Sequence, residues 1–325
     1  SPFRFPLSAA DAKDTLEAPE LAVATDGSVH LAFASQTADA ERTLFLTSSH
    51  DRGANFSIPR AAAKSGIFKS VSQMKGKEIT REIRLVPHLA AGGKTLALSW
   101  IDALPQNAGV RLAFAESTDS GSTFSTPTSV NAGAKSRPTF TAMAVGPNGE
   151  LACSWLDNRG RNQAPYAAVR PAGATAFEPE SLVYAGEPGK GTCPCCPTAV
   201  CFGPDGTLYV AFRNVDDGYR DIAIGRKKPG ASQFEGPFPV ESHAWKFDGC
   251  PHDGASIAVA NGRLHAVWMD ARSGRPRCYY GSAPLDTLNF DTREIDASAP
   301  GTQGNAKLAV DATGGLHLVW EESLG

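Results

Sequence analysis

Ala18-Pro19-Glu20-Leu21-Ala22-Val23-Ala24-Thr25-Asp26-Gly27-Ser28-Val29-His30-Leu31-Ala32-Phe33 reads as two short β-prone runs joined at Asp26-Gly27. A DG step between alternating apolar runs is a hairpin signal, because the turn needs φ > 0 and Gly supplies it without strain. Pro19 stands at the strand entry, where a missing N–H does least harm to a ladder. The same design returns five times: VPHLAAGGKTLALSW from Val86, RPTFTAMAVGPNGELACSW from Arg137 and CPTAVCFGPDGTLYVAF from Cys196, then CPHDGASIAVANGRLHAVW from Cys250 and NAKLAVDATGGLHLVW from Asn305. Six hairpins, each ending in an aromatic, span nearly the whole chain.

A fixed repeat decides the architecture before any local detail. Successive copies start between 51 and 68 residues apart, which leaves room for two further strands after each hairpin. The pattern therefore predicts an all-β chain, residues 1–325, forming one six-bladed β-propeller of four-stranded antiparallel blades. The first interval is the longest. Its excess falls in a basic insertion, residues 64–84, expected as a solvated loop or short helix. The last blade ends soon after its second strand, so residues 1–17 are the expected donors of a closing strand. The 325 residues include 32 Gly and 23 Pro, in keeping with many turns and few helices. With 31 basic and 34 acidic residues the net charge is −3, so no global field favours nucleic acid. No run of about eighteen apolar residues is present to span a membrane as a helix.

Two copies of S-x-D-x-G-x-x-F, Ser49 to Phe56 and Ser117 to Phe124, fall between expected third and fourth strands. In this pattern the Asp accepts turn N–H groups, the Gly takes φ > 0, and the Phe plugs the space between sheets. Weaker echoes lie at Pro171–Phe177 and Pro229–Phe234. With these turns and the hairpin repeat the chain resembles the sialidase-like Asp-box (BNR-repeat) propellers. The resemblance implies an exported protein, periplasmic or extracellular. A chain starting at Ser1 with no apolar leader is then expected to be a mature form.

The resemblance also implies that the first strand of each blade lines a central channel and the second returns to the ligand face. On that reading Glu20, His88, Thr139, Thr198 and His252 stand at strand entries. Ser35, Asp102, Asp157, Asn214, Asp270 and Glu322 stand at second-strand exits. Asp102, Asp157 and Asp270 are thus candidate catalytic acids, since paired carboxylates are what glycoside hydrolysis requires. The competing reading is that they cap turns at strand ends. A sialidase would also need three arginines to clamp a carboxylate, a Tyr–Glu nucleophile pair and an Asp acid. Where the family opens its first inner strand with R-I-P, this chain reads Glu17-Ala18-Pro19, which places an acid where the clamp begins. Arg137, Arg159, Arg213 and Arg272 lie near the expected rim without restoring the pattern.

Four of the seven cysteines fall within nine residues, Cys193, Cys195, Cys196 and Cys201. Thr192-Cys193-Pro194-Cys195-Cys196-Pro197 enters the inner strand of blade four, and Gly249-Cys250-Pro251-His252 enters that of blade five at the equivalent place. Residues i and i+2 of a strand share a face, so Cys250 and His252 are able to chelate one ion. Thiolates with an imidazole suit copper(I) first and zinc second, and do not suit calcium or magnesium. The expected metal ligands are Cys193, Cys195, Cys196, Cys250 and His252, with His243 and Trp245 as walls. The alternative is that these cysteines pair as disulfides and hold no metal. Cys153, Cys201 and Cys278 are expected in the sheets. Three functions stay open: an exported copper or zinc protein, with or without redox activity; a glycoside hydrolase using rim carboxylates; and a non-catalytic carbohydrate- or protein-binding propeller. In each, a metal ion or small molecule is the expected partner at the funnel.

Overall fold

All six hairpins of the sequence repeat are antiparallel strand pairs in the computed structural model, which describes residues 15–36, 42–66, 69–74, 77–82, 86–92, 95–133, 135–160 and 162–324. The chain divides into two compact units, Ser1–Pro138 and Thr139–Gly325.

The first unit holds two four-stranded meanders. One runs β1 (Thr15–Val23), β2 (Val29–Gln36), β3 (Arg42–Ser49), β4 (Arg60–Ser65). Between them lies a separate hairpin of β5 (Lys69–Met74) and β6 (Lys77–Glu82). The other meander runs β7 (His88–Gly92), β8 (Thr95–Ala103), β9 (Val110–Ser117), β10 (Thr128–Ser129). The hairpin corrects the expectation of a loop or short helix at residues 64–84. The β-branched Val71, Ile79 and Thr80 favour strands, and the register sets Val71 against Thr80 and Ser72 against Ile79. Of the segment expected to close the last blade, residues 1–14 lie outside the described residues. Thr15, Leu16 and Glu17 pair with β2 instead, opposite Gln36, Ser35 and Ala34.

The two S-x-D-x-G-x-x-F turns in this unit share one hydrogen-bond plan. Ser49 donates to Asp51 and accepts from the Gly53 N–H, while the Asn55 N–H donates to Asp51. Ser117, Asp119, Gly121 and Thr123 repeat it. Gly121 has φ +81 and packs against the Leu46 side chain, so a Cβ there meets both strain and a clash. The core beneath, from Ala22 to Ala115, includes Leu44, Leu98 and Trp100, with Phe124 packed on it.

The second unit continues the pattern. Its first sheet is β11 (Pro138–Val145), β12 (Leu151–Asp157), β13 (Ala164–Arg170) and β14 (Ser181–Leu182). Next come β15 (Lys190–Thr192) and β16 (Ala199–Phe202), both paired with β17 (Leu208–Asp216), then β18 (Ile222–Lys227) and β19 (Glu235–Pro239). A third meander runs β20 (Ser256–Ala260), β21 (Arg263–Asp270), β22 (Arg277–Pro284), β23 (Asp291–Glu294), and a two-stranded sheet of β24 (Thr302–Val310) and β25 (Leu316–Ser323) follows. Residues of β17 alternate between two cores, one holding Leu208, Val210 and Phe212 and the other Tyr209 and Ala211 with Ile224, Leu264, Trp268 and Tyr279. Phe140, His252 and Asn305, near the entries to the inner strands β11, β20 and β24, take φ +51, +57 and +53. The reversal turns the Phe140 carbonyl outward, where Thr198 of the next sheet donates to it twice.

Candidate metal centre

The site is built by two loops on neighbouring sheets of the second unit. β15 and β16 both pair with β17, and the six residues that join them, Cys193 to Thr198, lie opposite its middle, at Phe212 and Arg213. The Cys193 N–H continues the ladder by donating to the Arg213 carbonyl at 2.8 Å. Cys193, Cys195 and Cys196 are 0%, 6% and 1% exposed, with Val215 packed against them. Cys193 Sγ lies 3.5 Å from Cys195 Sγ and 3.6 Å from Cys196 Sγ. None of these, nor Cys250, is in a disulfide. The second loop brings Cys250 and His252, both exposed, to the same place, and Cys195 donates its thiol to Cys250.

Donor atoms therefore fall into two groups, Cys193–Cys195–Cys196 and Cys195–Cys250–His252, each with all its atoms within 4.8 Å. Ligands of one ion at metal–sulfur bonds of about 2.3 Å lie no more than about 4.6 Å apart. Small adjustments of side chains in either group satisfy that limit, and the donor set suits a soft cation. The five expected ligands are brought together. Hydrogen bonds from the Cys196 thiol lead the influences on Cys193, with Cys195 and the Arg220 charge adding to them against burial, and hold it down at about 5. The same bond, with burial, pushes Cys196 far up; burial and its bond to Cys250 push Cys195 up to about 12. A cation binding there displaces the protons that its thiols carry.

What aligns the two loops was not legible in the cysteine spacing. Arg213, 1% exposed, donates to the carbonyls of Arg220 (2.6 Å), Asp253 (2.9 and 3.1 Å) and Met269 (2.8 Å). Its guanidinium also lies 5.5 Å from the Trp245 ring centroid. Gly254 packs its Cα against the Pro197 carbonyl so closely that a Cβ has no room. Asp221 fixes the crossover loop by accepting from the N–H groups of Ala244 and Trp245, and Asp253 accepts from the Asn305 N–H at 2.8 Å. Burial raises the pKa of both acids against these bonds. Beside the centre a cleft of about 290 Å³ is lined by Tyr184, Lys190, Asn214, Asp216, Glu241 and His243, and shares Val215 with the cysteine cluster. His243 Nε2 lies 3.4 Å from Asp216, and Trp245 stacks on Phe247.

The rim acids are placed differently. Asp157 is buried and accepts from Trp155 Nε1 (2.9 Å), the Arg159 N–H (2.9 Å) and the Arg159 guanidinium (2.7 Å). Asp270 repeats this with Trp268 and Arg272 at 3.0, 3.1 and 2.5 Å. A shared W-x-D-x-R clamp ties the end of the second strand to the following turn. In the first unit Asp102 accepts two bonds from Arg111, at 2.8 and 3.0 Å, and His88 Nδ1 lies 3.7 Å from Glu20. Arg159 also bonds Glu180, and Arg272 also bonds Glu241. Cys201 is partly buried in β16, and Cys278 is buried in β22, where burial pushes its thiol up to about 12.

Comparison with solved structures identifies the fold. The chain is similar to an intramolecular trans-sialidase from Ruminococcus gnavus: TM-score 0.57, 12% identity, 97% of this chain and 94% of that one. The fold is sialidase-like. A polysaccharide lyase, the PL25 ulvan lyase, matches at TM-score 0.62 and 10% identity over all of this chain and 81% of that one. The GH93 α-L-arabinofuranosidase of Fusarium graminearum matches at TM-score 0.51 and 17% identity over 83% and 77%. No protein-family model and no curated protein matches the sequence.

Proposed function

We propose that this protein is an exported six-bladed Asp-box propeller that binds copper, or zinc as the second choice, through Cys193, Cys195, Cys196, Cys250 and His252. The observation that carries the reading is the position of Cys195 Sγ, which belongs to both donor groups. Four thiols and an imidazole from two loops meet without a disulfide, held by a buried arginine and a glycine contact. Bound there, a cuprous ion supplies one-electron redox chemistry and a zinc ion Lewis acidity. The protein's own part is to hold the sulfurs in place, shield the inner three from water and keep the outer pair open to solvent. The test is metal content per chain on protein purified anaerobically without an affinity metal. About one or more copper or zinc ions, reduced in number or lost in Cys196→Ala and in Cys250→Ala, supports the reading; a metal-free, metal-indifferent protein overturns it.

The comparisons favour a second reading over this one, since the structural neighbours are a trans-sialidase, an α-L-arabinofuranosidase and a polysaccharide lyase. On it, the cleft lined by Asp216, Glu241 and His243 binds a sugar and the rim acid Asp157 or Asp270 of the same unit acts on it. Weighing against that is the clamp on Asp157 and Asp270, whose oxygens are taken up by Trp and Arg donors. Turnover of a chromogenic arabinofuranoside or sialoside by wild type, abolished in Asp157→Asn or Asp270→Asn with the metal content unchanged, would establish it.

A further inference from the structure

The two donor groups differ in a way that a single site does not require. Cys193, Cys195 and Cys196 are buried, whereas Cys250 and His252 are exposed. They share one atom, Cys195 Sγ, which lies 3.5 Å from the inner Cys193 and receives the outer loop through the His252 N–H. Five donors around one ion exceed the four that a soft tetrahedral centre uses. From this arrangement we propose that the centre is two cuprous sites in series bridged by Cys195 Sγ: an outer capture site with Cys250 and His252, and an inner retaining site with Cys193 and Cys196. The inference rests on the metal reading of the site.

Transfer inward is ligand exchange at constant oxidation state. Bonds from copper(I) to Cys250 Sγ and His252 Nδ1 or Nε2 break as bonds to Cys193 Sγ and Cys196 Sγ form, and Cys195 Sγ stays attached throughout. On capture Cys195 and Cys250 give up their thiol protons to the departing donor ligands; as copper moves inward Cys193 and Cys196 release the protons they carry and Cys250 takes one up. The reaction is fed by a donor presenting copper(I) on weaker ligands, such as a small thiol complex. The exposed loop is where such a donor has access. His252 holds φ +57, and the Gly254–Pro197 backbone contact fixes the loop against the inner one, so the outer ligands face solvent without a rearrangement.

The test is anaerobic titration of the reduced full chain with copper(I) against bathocuproine disulfonate, with metal–metal scattering read by X-ray absorption. Wild type takes two ions per chain, with a copper–copper vector at saturation. Cys250→Ala/His252→Ala retains one ion but loads it from a glutathione–copper(I) donor roughly ten- to a hundredfold more slowly. Cys193→Ala/Cys196→Ala keeps one ion that the chelator removes at least tenfold more readily. One ion per chain, lost in parallel from both double variants and with no copper–copper vector, overturns the series while leaving the metal reading intact. No copper(I) binding by wild type overturns the reading itself. Unchanged thermal midpoints of the apo variants separate ligand loss from misfolding.

Discussion

Asp270→Ala separates a rim acid that works on a substrate from one that holds the fold. Asp270 is 2% exposed and accepts from Trp268 Nε1, from the Arg272 N–H and from the Arg272 guanidinium, which also reaches Glu241 at 2.9 Å. Burial opposes the Arg272 charge, but hydrogen bonds and charge from Asp270, then Glu241, more than offset it and raise its pKa. Removing one member of a buried ion pair costs about 3–5 kcal/mol when the other is left uncompensated. Here Glu241 remains and Arg272 is 20% exposed, which reduces that figure to about 2 kcal/mol. Stranding the Trp268 indole N–H in a core where its residue is 1% exposed adds about 1–3 kcal/mol. The expected loss is therefore about 3–5 kcal/mol. Asp102→Ala is the internal control: its pair with Arg111 is 14% and 29% exposed, and the Trp100 indole does not depend on it, so about 0–1 kcal/mol is lost. Urea unfolding at neutral pH reads both. A slope of about 2 kcal/mol per molar puts the Asp270→Ala midpoint at least about 1 M below wild type and leaves Asp102→Ala near it. A midpoint for Asp270→Ala within about 0.3 M of wild type would refute the clamp and return that carboxylate to the catalytic list.

Arg213→Met leaves carbonyls of Arg220, Asp253 and Met269 without their donor, and is expected to cost about 3 kcal/mol and to lower the thermal midpoint by about 6–12 °C. Scanning calorimetry checks this; a shift under about 2 °C would show that the two loops hold together without it. Gly254→Ala forces a methyl into the Pro197 carbonyl and is expected to weaken metal binding, measured by chelator competition, more than it lowers the thermal midpoint. Asp51 and Asp119 are held down at about 2, chiefly by Asn55 and Ser117 respectively. Their folded values lie below the unfolded ones, so the stability they contribute is present above pH about 4 and lost as pH falls towards 2. The Asp51→Asn/Asp119→Asn chain should show a flatter stability–pH curve over that window, and an unchanged slope would remove these turns from the acid limb. In reduced, metal-free protein the exposed Cys250 should alkylate first, with Cys193, Cys195 and Cys196 protected. Peptide mass mapping after a short iodoacetamide pulse reads this, and early labelling of Cys196 would contradict its burial.

The hairpins were legible because each carries its own turn chemistry. Asp26-Gly27, Asn148-Gly149 and Asp205-Gly206 each place a glycine at φ +84, +91 and +82 between β-prone runs. The insertion at residues 64–84 carries no such paired signal, and its basic composition outweighed the β-branched residues that make β5 and β6. The proposed metal ligands were legible from Cys and His at matching repeat positions. Their supports were not, because the Arg213 partners lie 7, 40 and 56 residues away and are backbone carbonyls, which every residue type offers alike. The clamp was half legible. Trp155-x-Asp157-x-Arg159 and Trp268-x-Asp270-x-Arg272 stand in the sequence as a repeated motif, but the same aspartates fit a list of rim acids. Only the hydrogen bonds show that each carboxylate turns back to its own Trp and Arg.

That turning back also bears on which sugars a glycosidase of this fold would accept. Clamping the carboxylate of a sialic acid needs guanidinium groups presented to the ligand as bidentate donors. Arg159 is shared between Asp157 and Glu180 and covers the Tyr166 ring at 4.2 Å; Arg272 is shared between Asp270 and Glu241 and covers Tyr279 at 4.3 Å; Arg213 is spent on three carbonyls. Diverting any of them to a substrate first breaks a pair that is half or fully buried, a cost of about 3–5 kcal/mol, equivalent to about a hundred- to several-thousandfold in affinity. The cleft beside the centre adds Asp216, Asp221, Glu187 and Glu241 against one lysine, Lys190, an acidic excess that disfavours an anionic sugar and suits a neutral or cationic one. A neutral pentoside has no carboxylate to clamp and escapes both costs. With matched fluorogenic substrates, any hydrolysis is therefore expected on an arabinofuranoside and none above background on a sialoside. Preferential release from the sialoside, lost in Arg159→Lys or Arg272→Lys, would show that these arginines leave their acids for a ligand.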